Sequence, residues 1–217
     1  MGEPIQVGEA AVTPWRRSRV GWSLFAGMGL LVLGFLVASG LRSTAAPLPI
    51  LGTLAPFRFI NQEGAPWGTE ELKGHVYVAD FIFTRCPAIC PRMTERMGEL
   101  QRRLGAAKSP VRLVSMSVDP VFDTPARLKA YAAAHHADPR SWTFLTGEIH
   151  ALESTITQGF KVSVTREAPG DFMGIVHGAY YVLVDGRGRV RGYYDSNDPQ
   201  SQPQLLADAG RLTRESP

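Results

Sequence analysis

VYVADFIFTRCPAICPRMT, residues 76 to 94, joins an apolar run, the only two cysteines of the chain and the start of a periodic segment. Val76 to Phe83 is nearly continuous in aromatic and branched residues, which predicts a strand covered on both faces. From Pro91 to Leu104 the residues Met93, Met97, Leu100 and Leu104 recur at helical spacing, with Arg92, Glu95, Glu99 and Arg102 between them. That pattern predicts an amphipathic helix with the methionines in its core stripe. Cys86 and Cys90 each precede a proline, which pushes the preceding residue toward extended backbone. Cys90 is therefore expected near the N-cap, with Pro91 at the first helical position. There the helix dipole, with Arg85 adjacent, favours thiolate over thiol.

The flanking sequence continues the alternation. Phe57 to Ile60 and Ala65 to Gly68 predict a small hairpin around Asn61 to Gly64, and Thr69 to Leu72 a short helical piece. Val111 to Val118 and Trp142 to Leu145 read as strands, Thr124 to Ala134 and Gly147 to Gln158 as helices. Ala179 to Asp185 and Arg189 to Tyr194 read as a hairpin about Gly186-Arg187-Gly188, and Gln202 to Leu212 as a closing helix. The order implies an α/β sheet.

The N-terminus has a different composition. Val20 to Leu41 is a run of 22 residues without charge, flanked by Arg19 and Arg42. At about 1.5 Å per residue it matches a hydrocarbon core about 30 Å thick. Arg16, Arg17 and Arg19 precede it, so the positive-inside rule puts residues 1–19 in the cytoplasm and everything after the run outside. The domains read as a cytoplasmic segment 1–19, a transmembrane anchor 20–41, a proline-bearing tether 42–53 and a folded domain 54–213. A cleaved signal peptide, cut near Ala38-Ser39-Gly40, is the rival reading. Either places the domain in a compartment where dithiol chemistry operates. The net charge of +3 gives no broad basic face for nucleic acid.

A disulfide closing so short a loop constrains the unfolded chain little, so the cysteine pair calls for a chemical role. Residues four apart lie about 6 Å apart at Cα even in a helix-like turn, so the two can be bridged or bridge a metal. Structural zinc wants four ligands and there is no second cysteine pair, whereas copper accepts two thiolates and an imidazole. Five histidines compete for that place. His135 and His136 end a helix, His150 falls in a helix, and His75 opens a strand. His177 lies just before the strand at Ala179, between Gly174 and Gly178, and spacing alone leaves it an ordinary loop histidine. Asp119 and Asp123 in SVDPVFD are expected to cap the next helix and shape its turn.

Taken together, FTRCPAICP at 83 to 91, SVDPVFDTP at 117 to 125, LTG at 145 to 147 and His177 before AYYVLVDGRGRVRGYY resemble the Sco (SenC) family of membrane-anchored copper proteins. The resemblance runs from about Leu54 to Leu212 and implies a thioredoxin-like fold with an N-terminal hairpin added, preceded by one transmembrane helix. It further implies that Cys86, Cys90 and His177 bind copper together, and that the acceptor is a subunit of a cytochrome oxidase, whose binuclear copper site family members supply or reduce. Family members often carry Asp before the histidine and Ser after it, where this chain has Val176 and Gly178. The alternative is an exported thiol-disulfide reductase, with Cys86 as nucleophile, Cys90 as resolving thiol and an external thiol reductant. Thioredoxin-type reductases place two residues between their cysteines, and here there are three. Peroxide reduction is a third reading, without a further motif to support it.

Overall fold

The computed structural model describes residues 46–87, 89–166 and 175–215 together with Met28, and at 166 and 175–177 the backbone alone. Apart from Met28 the proposed anchor 20–41 lies outside the described residues, among which no helix is long and apolar enough to cross a membrane. The chain divides into two compact units, and the second, Leu48–Pro217, holds the sheet.

Among residues 46–215 as described, ten strands and five helices follow in the order β1 (Gly52–Thr53), β2 (Arg58–Asn61), β3 (Pro66–Gly68), α1 (Thr69–Leu72), β4 (Tyr77–Ile82), α2 (Ile89–Ala106), β5 (Arg112–Ser117) and α3 (Pro125–Ala134). Then come β6 (Trp142–Thr146), α4 (Ile149–Ser154), β7 (Val164–Arg166), β8 (Ile175–His177), β9 (Tyr180–Val184), β10 (Arg189–Asp195) and α5 (Ser201–Glu215). Eight strands form one sheet in the order β1-β10-β9-β4-β5-β6-β2-β3, and β7 pairs with β8 apart from it. The anticipated hairpin β2–β3 is added at the edge next to β6, while β4, β5 and β6 run parallel at the centre.

The unbroken apolar run at 77–82 is explained by position. All six residues of β4 are buried, with β5 parallel on one side and β9 antiparallel on the other. Met93, Met97, Leu100 and Leu104 of α2 are buried as their spacing required, so both methionines belong to the core. Thr124 caps α3, its side chain accepting from the Arg127 N–H, and Glu148 caps α4 through the N–H groups of His150 and Ala151.

Three expectations need adjustment. Helix α2 already includes Ile89 and Cys90, so Cys90 is helical although it precedes proline. Pro91 still falls in the first turn, where a missing N–H costs no ladder bond, and burial of Cys90 and Met93 outweighs the local preference. The helix expected over 147 to 158 starts at Ile149 and ends in a π turn, Thr155–Gly159. Residues 48–53, read as tether, are bonded onto the sheet: β1 pairs with β10, and Arg191 donates to the carbonyls of Leu48 and Pro49 at 2.6 and 3.0 Å.

Arg191 is itself buried and pairs with Asp185 at 2.8 Å. Burial alone would raise the Asp185 carboxyl, but bonds from Arg191, Arg189 and the Arg187 and Arg189 backbone hold it below the ordinary carboxylate range. Beside this pair the Gly74 N–H donates to the Gly186 carbonyl at 2.9 Å, and a Cβ on Gly186 would meet the Gly74 backbone at 2.7 Å. Gly186→Ala is accordingly expected to cost about 1–3 kcal/mol in urea unfolding, because both partners in the clash are main chain. An unchanged midpoint would contradict this account of the close approach.

Candidate metal centre

The site forms where two adjacent parallel strands end. Strand β4 runs into Phe83-Thr84-Arg85-Cys86 and then α2, and β5 runs into the SVDPVFD turn. That turn clamps the cysteine segment. Asp123, fully buried, accepts from the Thr84 hydroxyl at 2.5 Å, from the Thr84 N–H at 3.1 Å and from the Ser117 hydroxyl at 2.6 Å. Burial raises its carboxyl, with the Ser117 and Thr84 bonds opposing. Asp119 takes the next residue, accepting from Arg85 Nε at 2.7 Å, while the guanidinium lies 4.5 Å from the Phe122 ring centre. Neither aspartate caps α3, which Thr124 does; both position the residues just before Cys86.

Of the two cysteines, Cys86 is partly exposed and Cys90 fully buried. The two side chains are hydrogen-bonded to each other, and the Cys86 N–H donates to the Phe83 carbonyl at 3.2 Å. The expectation of thiolate character fails for Cys90. Burial pushes its thiol well above the ordinary range, and the Phe83 backbone bond does not compensate. Loss of solvation outweighs the helix terminus, and the charge of Arg85 is engaged by Asp119.

Beneath the helix lies a group that sequence reading passed over. Asp80 on β4 is completely buried, accepts from the Ser115 hydroxyl at 2.5 Å, and its charge is felt by Cys90, Tyr131 and Tyr181. Trp142 Nε1 donates to the same Ser115 oxygen at 2.9 Å. The other carboxylate oxygen, Oδ2, has no partner among the described residues. A lone acid inside VYVADFIF was the available signal.

Of the histidines, His75 stands at the opposite end of β4, its Nε2 3.0 Å from Arg112, and both burial and that guanidinium lower its pKa. His135 packs on the Tyr131 ring, and His150 is exposed, 3.9 Å from a Glu153 oxygen. His177 is described through its backbone: it ends β8, opposite Val164, and Gly178 donates to the Ser163 carbonyl. In β9 the register with β4, Val182 opposite Ala79, carries the residues ahead of Tyr180 toward the end of the sheet where the cysteine segment begins. Backbone topology thus brings His177 to that end, and its ring lies outside the described side chains. Among the described residues no group of three metal-ligating side chains assembles.

A cysteine pair at a strand-to-helix junction on a mixed sheet, with an antiparallel strand leading from the same end, defines a thioredoxin-like protein. Within that class the SCO1/SenC profile matches residues 51–213, and the chain belongs to that family. It is 37% identical over 181 residues to the SCO1 protein homolog of Bacillus subtilis, covering 83% of this chain and 91% of the relative. Among solved structures it resembles BsSco, described as having a disulfide switch and as a member of the Sco family of cytochrome c oxidase assembly proteins. That match has a TM-score of 0.68 and 35% identity, over 77% of this chain and 98% of that one. It also resembles Bradyrhizobium japonicum ScoI with copper bound, with a TM-score of 0.62 and 26% identity, over 74% and 99% of the two chains.

Two substitutions test the packing around the thiols. Asp123→Ala leaves the Thr84 and Ser117 donors without their acceptor and is expected to cost about 2–3 kcal/mol in urea unfolding. For Asp80, burial lifts the carboxyl to about 7 against the Ser115 bond. The unfolded carboxyl ionises near pH 4, so between about pH 4 and 7 the folded chain keeps a proton that the unfolded chain has lost. Stability therefore falls as pH rises through that window and levels off above it. Asp80→Asn should flatten this slope and exceed the parent by about 1–3 kcal/mol at pH 8 but not at pH 4; an unaltered slope contradicts the assignment.

Proposed function

We propose that this chain is a membrane-anchored copper chaperone that holds copper through Cys86, Cys90 and His177. It delivers the metal to, or matures, the binuclear copper site of a cytochrome c oxidase. The observation that carries the reading is a cysteine pair of unequal exposure at the sheet end toward which the backbone of His177 leads. Two thiolates and an imidazole suit copper, and three ligands leave a side open for an acceptor's donor atom. Copper in ScoI and the assembly role in the description of BsSco support the same choice. The apolar run 20–41 would hold the chain as a single span in the cytoplasmic membrane, N-terminus inside and domain outside.

A metal takes the thiolate, so the proton that burial holds on Cys90 leaves as copper enters. Affinity should weaken as pH falls, by about tenfold per pH unit for each proton displaced, in chelator competition between pH 6 and 8. A pH-independent affinity would contradict ligation by Cys90.

The exposure difference also suits the second reading, in which Cys86 attacks a disulfide and Cys90 resolves it. The readings are linked, because a bridged pair releases copper and an external thiol reductant restores the site. His177→Ala separates them. Copper affinity of the full chain should fall by about 100-fold or more while the Cys86–Cys90 disulfide still forms. Unchanged affinity, with rapid reduction of protein disulfides by the parent, would favour the reductase.

A further inference from the structure

The end of the sheet away from the thiols collects charge from separate parts of the chain. Lys73 adjoins Gly74, which is bonded to Gly186, and Arg187 follows in the same turn. Lys108 lies just ahead of β5, whose Arg112 is opposite Tyr77, and Arg140 just ahead of β6, whose Trp142 is opposite Leu113. Arg214 is in the last turn of α5, beside Leu212 and Glu215, which line one cleft with Gly74, Gly186 and Arg187. Lys73, Lys108, Arg140, Arg187 and Arg214 are all exposed. Opposing them, Asp138 is paired with Arg140 and Asp185 with Arg189 and Arg191, leaving Glu215 on the rim and Glu70 a turn behind Lys73.

The chain enters the domain at this same place. The carbonyls of Leu48 and Pro49 accept from Arg191, the partner of Asp185 on the cleft wall. Only residues 42–47 separate Leu48 from the apolar run. Fully extended, six residues span about 20 Å, roughly half the diameter of a domain of this size, about 40 Å. That length limits how far Leu48 can stand from a membrane holding residues 20–41.

We propose that the basic end of the sheet, around Lys73, Lys108, Arg187 and Arg214, docks on anionic phospholipid headgroups of the membrane that holds the chain, so that the thiols project away from the bilayer. The inference rests on the reading of residues 20–41 as an anchor. Positive charge beside the attachment point supplies the attraction, and the short tether limits its distance from the bilayer. Cys86, four residues beyond the far end of β4, then faces outward, where an acceptor domain standing off the membrane can reach it.

Three of the four lysines report on this directly, because Lys73 and Lys108 are on the basic end while Lys129 is on α3, paired with Glu63 at 2.5 Å. The full chain is placed in nanodiscs of phosphatidylcholine, or of phosphatidylcholine with about 30% phosphatidylglycerol, and amine labelling is followed by mass spectrometry. Labelling of Lys73 and Lys108 relative to Lys129 should fall about threefold or more in the anionic discs, recover in about 0.5 M NaCl, and fall less in the double variant Arg187→Glu, Arg214→Glu. Retained chain with unchanged ratios, or equal protection of Lys129, overturns the orientation and leaves the anchor standing. Chain released by alkaline washing overturns the anchor, and this proposal with it.

Discussion

The Asp123 carboxylate, buried between the ends of two parallel strands, is the contact on which the site depends. It binds Thr84 on the β4 side and Ser117 on the β5 side, so the loop carrying the first cysteine is fixed to the neighbouring strand rather than left to its own turn. Asp119 extends the same clamp by one residue through Arg85. An ionised or strongly polar group at such depth is tolerated only when its oxygens are satisfied, and here three donors converge on one side chain. The geometry of the dithiol is therefore a property of the sheet, set before any ligand arrives.

Burial then divides the labour between the two sulfurs. Cys90, in the first turn of α2, faces the core and keeps its proton, while Cys86 reaches partly into solvent. A thiol held protonated in this way is guarded against adventitious oxidation and yields its proton to a soft ion or to a mixed disulfide. Asp80 adds a second buried acid on the same side of the sheet, which further disfavours negative charge on Cys90.

Most of the fold was legible because burial writes itself into hydrophobic pattern. The doubly covered strand at 77–82, the stripe along α2, the β9–β10 hairpin and the added β2–β3 hairpin all followed from period and turn residues. What escaped depended on contacts distant in sequence. Asp119 and Asp123 look like ordinary turn and cap residues until β5 is laid beside β4, and their partners lie 34 and 39 residues away. The thiolate expectation followed the helix terminus and could not weigh desolvation, which requires knowing that Cys90 faces inward. The short β7–β8 pair carries no repeat long enough to be read. The basic end of the sheet is likewise invisible as a run, since its cations come from five separate segments.

The central claim is one soft-metal pocket shared by two sulfurs and one distant imidazole. X-ray absorption at the copper edge, on full chain loaded after reduction and with metal content measured alongside, tests it most directly. The account expects one copper per chain, with two sulfur neighbours and one nitrogen neighbour from a histidine ring. Sulfur coordination without that nitrogen, or one copper shared between two chains, would contradict it.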